Sequence, residues 1–264
     1  MLNKELILSH LQEHPWGNFL QVFDTVESTN SLARALAAEG VPSGTVILAD
    51  GQTGGRGRLG RSFDSQKGKG LYFSLILRPE LPPDRLLHVT PMVAVAACDA
   101  IEKVSGLRPG VKWINDLILR ERKLAGILTE SSVNFETGFV DYLVIGIGIN
   151  CSHEAEDFPP ELNAISLHMA GAEISREQLA AELIRCLWEM AEELVSGKEA
   201  WLRRYAENCL TVGRRVKILL NGQETPAFAT GIDPDGGLVV RYDDHSEGVI
   251  FFGEVSVRGM DGYI

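Results

Sequence analysis

The chain has 264 residues, which is enough for one large domain or for a core domain with a small second one. Its 45% hydrophobic and 23% charged residues are typical of a globular protein. The formal net charge of −11 argues against general binding to nucleic acids or membrane surfaces, because both favour basic proteins.

The N-terminus and the cysteines indicate a cytoplasmic protein. The first residues lack the continuous apolar segment of a signal peptide, and no apolar run approaches the length of a membrane span. The four cysteines lie far apart in the sequence, at Cys98, Cys151, Cys186 and Cys209. We interpret them as reduced thiols, with disulfides or a zinc site as the alternative.

The hydrophobic pattern of residues 1–210 mixes helical and strand periods, with strands expected to pair mostly in antiparallel fashion. The first expected helices lie at 3–14, between a cap at Ser28, Thr29 or Asn30 and an end at Gly40, and over about 86–104. The expected strands lie at 22–25, 46–49, 71–77, 111–113, 117–119, 124–131 and 139–148. Ser175-x-x-Gln178 then predicts a capped helix start. This combination indicates an α+β domain.

The loop between the strands expected at 46–49 and 71–77 is unusual. Residues 52–61 read Gln-Thr-Gly-Gly-Arg-Gly-Arg-Leu-Gly-Arg, so three arginines alternate with glycines. Residues 51–69 contain five cations and one anion. Glycines let backbone N–H groups approach a ligand closely, and arginines offer planar, charged forks to carboxylates and phosphates. The loop therefore predicts an anionic small-molecule ligand.

Two other interpretations of this loop fit less well. Gly55-x-Gly57-x-x-Gly60 matches the dinucleotide-binding fingerprint, but that motif should open a helix and here a strand follows. An RNA-binding arginine–glycine segment would usually be longer and basic throughout.

Two lysine motifs follow on a predicted hairpin, Lys112–Asp116 and Lys123–Leu128. Taken alone, Asn115-Asp116 is a turn and the lysines are exposed residues at a strand edge. Gly126 changes that interpretation, because its missing side chain opens the strand surface to a ligand close to Lys123. The hairpin also neighbours the arginine-rich loop, so a shared anion site is expected.

A third motif lies in the strand expected at 139–148. Gly146 and Gly148 alternate with apolar residues, which weakens a strand unless something packs flush against it, such as a planar ring. Asn150 would offer its amide to the edge of that ring.

The character of the sequence changes after Val212. Short β-branched runs separated by turn residues, among them Asn221-Gly222 and Asp233–Gly237, predict a small five-stranded barrel. We therefore divide the chain into domains at 1–210 and 211–264. The expected barrel strands lie at 215–220, 227–232, 238–242, 248–252 and 254–258.

Together these motifs resemble the biotin protein ligase family over about residues 22–258. The matching segments are Glu27–Asn30, Gln52, Gly55–Arg61, Lys112–Asp116, Lys123–Leu128, Gly146–Asn150, Gly231–Gly236 and Gly253–Ser256. The resemblance implies an α+β fold: a class II synthetase-like catalytic domain with a mixed, mostly antiparallel sheet, followed by a small SH3-like β-barrel.

The chain departs from the family pattern in two places. Ile114 stands where the family usually has proline, which would alter the hairpin without removing a ligand contact. Only about twenty residues precede the start of the resemblance near residue 22, too few for the DNA-binding domain of bifunctional members. The resemblance is therefore to the monofunctional type, with no repressor function and no nucleic-acid partner expected.

The family reaction implies two substrates and a protein acceptor. Biotin is activated with ATP as biotinyl-5′-AMP and then transferred to a lysine of a biotin carboxyl carrier protein, from acetyl-CoA carboxylase or another biotin-dependent carboxylase. The residues implied for biotin are Ser28, Thr29, Asn30, Gln52, Arg56, Gly57, Arg58, Lys123, Gly126 and Leu128. Those implied for ATP or the adenylate are Arg58, Arg61, Lys112, Asn115 and Asn150.

The catalytic group implied by the same resemblance is Arg56, Arg58, Lys112 and Lys123. Mg²⁺ is expected with ATP, and Asp116 is a candidate for a metal ligand or for the general base. Two alternatives stay open: a lipoate or octanoate ligase on a related fold, and a non-enzymatic biotin or nucleotide sensor. Monomer and homodimer also stay open, with the strand at 139–148 as the candidate dimer edge.

Overall fold

The computed structural model describes residues 1–220, 223–251 and 256–259. The turn expected at Asn221-Gly222 and most of the motif starting at Gly253 lie outside these residues. The helices are α1 Lys4–Leu11, α2 Thr29–Ala38, α3 Val89–Ser105, α4 Arg176–Glu192 and α5 Lys198–Asn208. The strands of the first sheet are β1 Leu20–Val26, β2 Thr45–Gln52, β3 Gly70–Leu77, β4 Gly110–Lys112, β5 Asp116–Leu119, β6 Arg122–Val133 and β7 Val140–Asn150.

The first sheet has the order β1-β2-β3-β7-β6-β5-β4. Within the described strands, β1 pairs with β2 in parallel and every other pairing is antiparallel, as the sequence predicted. β7 lies in the middle, bonded to both β3 and β6, so the expectation that it offers a dimer edge was wrong. Its strong apolar pattern reflects burial on both faces, which is typical of a central strand.

Helices cover both faces of this sheet. On one face, α1, α3 and α4 pack on a large core to which β2 contributes Val46 and Leu48. On the other face, α2 packs Ala33 and Ala37 against Ile47 and neighbouring residues of β3 and β7. The alternation of residues 46–48 between the two faces explains why β2 is apolar along most of its length.

The helix starts follow the expected capping chemistry. Ser28 Oγ accepts a hydrogen bond from the backbone N–H of Ser31 (3.4 Å), and Ser175 Oγ accepts one from Gln178 (3.2 Å). Gly106 ends α3 with a φ of 71°, a conformation that suits glycine. In the described part of the chain, no helix has the length and apolar character required to cross a membrane.

The C-terminal strands form a separate antiparallel sheet, which confirms the predicted SH3-like unit. Its strands are β8 Arg215–Leu220, β9 Gln223–Ile232, β10 Leu238–Tyr242, β11 Glu247–Ile250 and β12 Ser256–Gly259. They lie in the order β11-β10-β9-β8-β12.

A buried ion pair ties the first sheet to α4. Asp50, at 1% exposure, lies at the end of β2, and Arg176 Nη2 is 2.9 Å from its Oδ1. The contact has the distance of an ion pair but lacks an aligned hydrogen bond at that oxygen. A carboxylate in this position depends on its cation, because a buried charge without a partner is costly.

We predict that Arg176→Met lowers the free energy of unfolding by about 3 kcal/mol, since it leaves the buried Asp50 carboxylate with only the exposed N-terminal ammonium of Met1, 3.6 Å from its Oδ2. Urea denaturation measures this loss. The double variant Asp50→Asn/Arg176→Met should recover part of it. Lys67→Met is the control, because its pair with Asp24 is half exposed on both sides and should contribute less than about 1 kcal/mol. A loss for Arg176→Met no larger than the control's would contradict this account.

Candidate active site

A cavity of about 640 Å³ lies over β3, β7 and β6, between the start of α2, the arginine loop and the turn that joins β4 to β5. Fourteen of the fifteen positions that the sequence singled out line this cavity, and Asn150 does not. The residues brought together are Ser28, Thr29, Asn30, Gln52, Arg56, Gly57, Arg58, Arg61, Lys112, Asn115, Asp116, Lys123, Gly126 and Leu128.

A polar corner, formed by Ser28, Thr29 and Gln52, lies at the start of α2. Gln52 Oε1 accepts hydrogen bonds from the backbone N–H of Thr29 (2.8 Å) and from Thr29 Oγ1 (3.1 Å). Gln52 Nε2 donates to Ser65 Oγ (2.7 Å), which fixes the orientation of the amide. The corner is therefore built before any ligand binds.

The hydrogen bonds inside this corner leave specific groups for a ligand. Thr29 Oγ1 donates to Gln52 and so retains its acceptor lone pairs. Ser28 Oγ accepts from Ser31 and, within the described contacts, gives its proton to no protein acceptor. The corner can therefore accept from a ligand N–H group and donate to a ligand carbonyl.

Asn30 lines the cavity, but much of its bonding capacity is used within the protein. Its Oδ1 accepts from Ser74 Oγ (2.7 Å), and its Nδ2 donates to Glu130 Oε2 (2.9 Å) and to the carbonyl of Leu128 (3.3 Å). A Cβ at Gly146 would lie 2.0 Å from that Oδ1. Residue 146 must therefore be glycine to leave room for the Asn30 amide. The sequence had led us to expect that the room was for a ring of the ligand.

Phe63 was missed in the sequence, and it explains Gly148. A Cβ at Gly148 would lie 2.5 Å from the Phe63 ring, whereas one at Gly126 would lie 3.4 Å from it, an ordinary contact distance. The planar ring predicted to pack on this strand surface is thus a side chain of the protein itself. An aromatic residue just after the arginine loop was the only signal of it in the sequence.

The arginine loop folds back on itself as a small hairpin. Gly57 N–H donates to the Arg61 carbonyl (2.7 Å), and Phe63 N–H donates to the Gly55 carbonyl (2.9 Å). A Cβ at Gly55 would lie 2.3 Å from the Phe63 carbonyl oxygen, so this close approach requires glycine. The fold of the loop thereby sets Arg58 and Phe63 over the sheet.

Two of the cations are held by the turn between β4 and β5. Arg58 Nη1 donates to Asn115 Oδ1 (3.1 Å), and Lys123 Nζ lies 2.7 Å from Asp116 Oδ1. Burial lowers the pKa of Arg58, while the Asp116 carboxylate opposes that shift. The guanidinium nevertheless stays charged at neutral pH, because its ordinary pKa is so high.

The turn itself is fixed to the neighbouring strand β6. Asn115 Nδ2 donates to the carbonyl of Ile127 (2.8 Å), and the N–H of Ile127 donates to the Asn115 carbonyl (2.9 Å). Arg56 differs from Arg58: it is half exposed, with Glu27 Oε1 at 3.9 Å. Ile114, the departure from the family pattern, is buried in the core and does not line the cavity.

Asn150, which the sequence assigned to the nucleotide, lies next to the site without lining the cavity. Its side-chain amide donates to the backbone carbonyls of Ile165 (3.1 Å) and Lys123 (3.4 Å), and it lies outside the cavity lining. Asn150 therefore joins β6 to the segment that follows β7. Alternation along the strand could not reveal this, because its partner lies fifteen residues further on.

The site offers little for a metal ion. Asp116 is the one acidic residue in the cavity lining, and it is paired with Lys123. Across the described ranges there is no group of three or more His, Cys, Asp or Glu side chains that could hold a metal. A dedicated protein site for Mg²⁺ does not fit these residues.

Comparison with known proteins agrees with this geometry. Residues 22–150 match the model of the biotin/lipoate A/B protein ligase family, and residues 211–258 match the biotin protein ligase C-terminal domain. The bifunctional ligase/repressor BirA of Bacillus subtilis is 32% identical, over 92% of this chain and 75% of the relative. The biotin–[acetyl-CoA-carboxylase] ligase of Mycobacterium tuberculosis is 30% identical, over 83% of this chain and 82% of its own length.

A solved structure agrees as well. Biotin protein ligase from Aquifex aeolicus, in complex with biotin and ATP, superposes with a TM-score of 0.76 at 29% identity. The match covers 91% of this chain and 98% of that one. Fold and relatives together define a ligase, and arginine and lysine side chains line its cavity. The chain belongs to the biotin protein ligase family.

We predict that Gly146→Ala lowers the free energy of unfolding by about 2–4 kcal/mol, because the new methyl group displaces Asn30 and leaves buried polar partners unpaired. Gly148→Ala should lose less than half as much, since it meets only the Phe63 ring, which can move. Thermal or urea unfolding measures both.

The double variant Asn30→Ala/Gly146→Ala tests the cause. Once Asn30 is truncated, the methyl group has room, so the double variant should lose little more than Asn30→Ala alone. Fully additive losses would show that Asn30 is not the neighbour that requires glycine at 146.

Proposed function

We propose that this chain is an ATP-dependent ligase that activates biotin as biotinyl-5′-AMP and transfers the biotinyl group to a lysine of a biotin carboxyl carrier protein. The supporting observation is a cavity with two chemically different ends. The polar corner of Ser28, Thr29 and Gln52 can bond a cyclic urea, and Arg58 and Lys123 can bind a carboxylate and a phosphate.

The urea head and the valerate carboxylate of biotin match these two ends. The urea carbonyl would accept from Ser28 Oγ, and a urea N–H would donate to Thr29 Oγ1. Gly57, Gly126 and Leu128 supply lining between the ends, and Asn30 with its partners keeps that lining in place. Lipoate and octanoate lack a urea group, so they would leave the corner without a partner.

In the first step, a carboxylate oxygen of biotin attacks the α-phosphorus of ATP, and pyrophosphate leaves with the electron pair of the broken P–O bond. No proton has to be removed from the nucleophile. The obstacle is the repulsion between a carboxylate and a polyphosphate, which fixed cations reduce. We assign this task to Arg56, Arg58, Lys112 and Lys123, since all four line the cavity.

The nucleotide end is proposed to include Arg61, Lys112 and Asn115. Mg²⁺ would enter with ATP, held by phosphate oxygens, because the cavity supplies only the paired Asp116 carboxylate. We propose that Asn150 shapes this end through its backbone bonds instead of touching the ligand.

In the second step, the neutral ε-amine of the acceptor lysine attacks the acyl carbon, and AMP leaves. The amine must lose a proton. The ion pair of Asp116 with Lys123 favours a role in holding that cation over a role as the base. The acceptor is proposed to be the carrier domain of acetyl-CoA carboxylase or a similar carboxylase.

The domain division at residues 210 and 211 and the cytoplasmic setting also remain proposals. Four buried thiols, Cys98, Cys151, Cys186 and Cys209, are unpaired, which suits a reducing compartment. Burial raises the pKa of Cys98, Cys151 and Cys186 to about 12, so they are unreactive core residues.

We predict that Lys123→Ala lowers the rate of biotin-dependent pyrophosphate exchange roughly 10²–10³-fold, because it removes a fixed cation from the reacting phosphate. Lys67→Ala is the matched control, since Lys67 pairs with Asp24 and does not line the cavity. Exchange at the control's rate by a folded Lys123→Ala variant would remove Lys123 from the catalytic group.

We predict that Arg58→Gly impairs retention of biotinyl-adenylate more than its formation. The change breaks the bond from the loop to Asn115, while Lys123 and Arg56 remain for the first step. The escaping adenylate should then biotinylate lysines of an inert protein added to the assay. The double variant Arg58→Gly/Lys123→Ala should label nothing, because it makes little adenylate. Absence of labelling by Arg58→Gly itself would show that this bond does not retain the intermediate.

A further inference from the structure

The turn between β4 and β5 faces the cavity on one side and the C-terminal part of the chain on the other. On the cavity side, Lys112, Trp113, Asn115 and Asp116 contribute to the lining. The opposite side is bonded to α5, to the segment after it and to the second sheet. The nucleotide end of the site therefore depends on residues far along the sequence.

Three buried hydrogen bonds make this connection. Trp113 Nε1 donates to the Gly236 carbonyl (3.1 Å), and the backbone N–H of Trp113 donates to Thr211 Oγ1 (2.9 Å). The hydroxyl of Tyr205 donates to the carbonyl of Ile114 (3.2 Å). Trp113 is 5% exposed, so water cannot readily replace these partners.

Gly236 belongs to a turn that is itself rigid. Asp233 Oδ1 accepts from the backbone N–H groups of Asp235 (2.9 Å) and Gly237 (2.7 Å), and the Asp233 carbonyl accepts from Gly236 (3.1 Å). Gly236 has a φ of 86°, and a Cβ there would lie 2.7 Å from Pro91. The turn also forms an ion pair between Asp235 and Lys198 at the start of α5.

We propose that the turn at 233–237 positions the nucleotide end of the active site, acting through the indole N–H of Trp113. Trp113 and Asp233 are then positioning residues for adenylate formation. The inference rests on the proposed function. Lys112 and Asn115 lie on either side of Trp113 in the chain, so a shift of Trp113 moves both. The stabilisation of a transferring phosphoryl group falls steeply when the cations around it are displaced.

Binding at the biotin end serves as the reference against which a change in ATP binding is judged. Ser28, Thr29 and Gln52 bond to one another and to Ser65, and none of these bonds involves the turn at 233–237. Loss of the Trp113 bond should therefore separate two quantities that a general loss of structure would change together. These are the KM for ATP and the Kd for biotin.

Trp113→Phe is the direct test, because it keeps an aromatic ring and removes the N–H donor together with the five-membered ring, a loss of volume that the control variant shares. In biotin-dependent pyrophosphate exchange, we expect the KM for ATP to rise at least roughly tenfold. The Kd for biotin, measured by calorimetry without ATP, should rise by a clearly smaller factor, because the polar corner is untouched and only the carboxylate end depends on Arg58 and Lys123, which the turn holds.

Trp201→Phe is the matched control. Trp201 is also 5% exposed, and its Nε1 donates to Glu193 Oε2 (2.7 Å) away from the β4–β5 turn. It should lose stability while keeping the wild-type KM for ATP. A second pair tests the turn itself: Asp233→Ala should reproduce the effect of Trp113→Phe, and Asp233→Asn, which keeps an acceptor oxygen, should not.

The outcomes separate the inference from the function on which it rests. No exchange by the wild-type protein would overturn the proposed function and the inference with it. An active wild type with equal KM values for ATP in Trp113→Phe and Trp201→Phe would overturn the inference alone. The inference would also be overturned if the Kd for biotin and the KM for ATP rose by the same factor in Trp113→Phe, since that result indicates general disruption of the fold.

Discussion

Arg58 and Lys123 reach the cavity from different segments of the chain, and two like charges there would repel each other without a fixed counterpart. The turn between β4 and β5 provides it. Asn115 accepts the bond from Arg58, and Asp116 pairs with Lys123. Each cation is thereby held by a neighbouring residue of the same turn. Near a protein surface, a contact of this length between unit charges is worth several kcal/mol before solvation costs, so the turn determines where the positive charge lies.

The rest of the cavity is built around this charge centre. The start of α2 supplies a neutral polar corner at the other end, fixed by Gln52 and Ser65. Between the ends, two glycines of β7 make room for the side chains of Asn30 and Phe63. The second sheet supports the turn from behind through Trp113. A neutral head, an apolar middle and an acidic tail describe the ligand that such a cavity accepts.

Local sequence patterns predicted much of this architecture. Alternation and turn residues located the strands. The capping box at Ser175 located one helix start, whereas Ser28, Thr29 and Asn30 were equal candidates for another, of which the structure uses Ser28. Arginines and lysines near glycines marked residues that line the cavity. What failed depends on contacts between distant residues. The central place of β7 is set by its pairing with β3 and β6, which no local pattern encodes. The role of Gly146 is set by Asn30, more than a hundred residues earlier in the chain.

The most direct test of the account is the ligand preference of adenylate formation by the wild-type protein. Exchange of labelled pyrophosphate into ATP would be measured with biotin, lipoate or octanoate, and the acyl-adenylate identified by mass spectrometry. The polar corner at Ser28 and Thr29 predicts exchange with biotin and an adenylate of the biotinyl mass, with little exchange for the two acids that lack a urea group. Exchange with octanoate equal to that with biotin, or no exchange with biotin, would contradict the account.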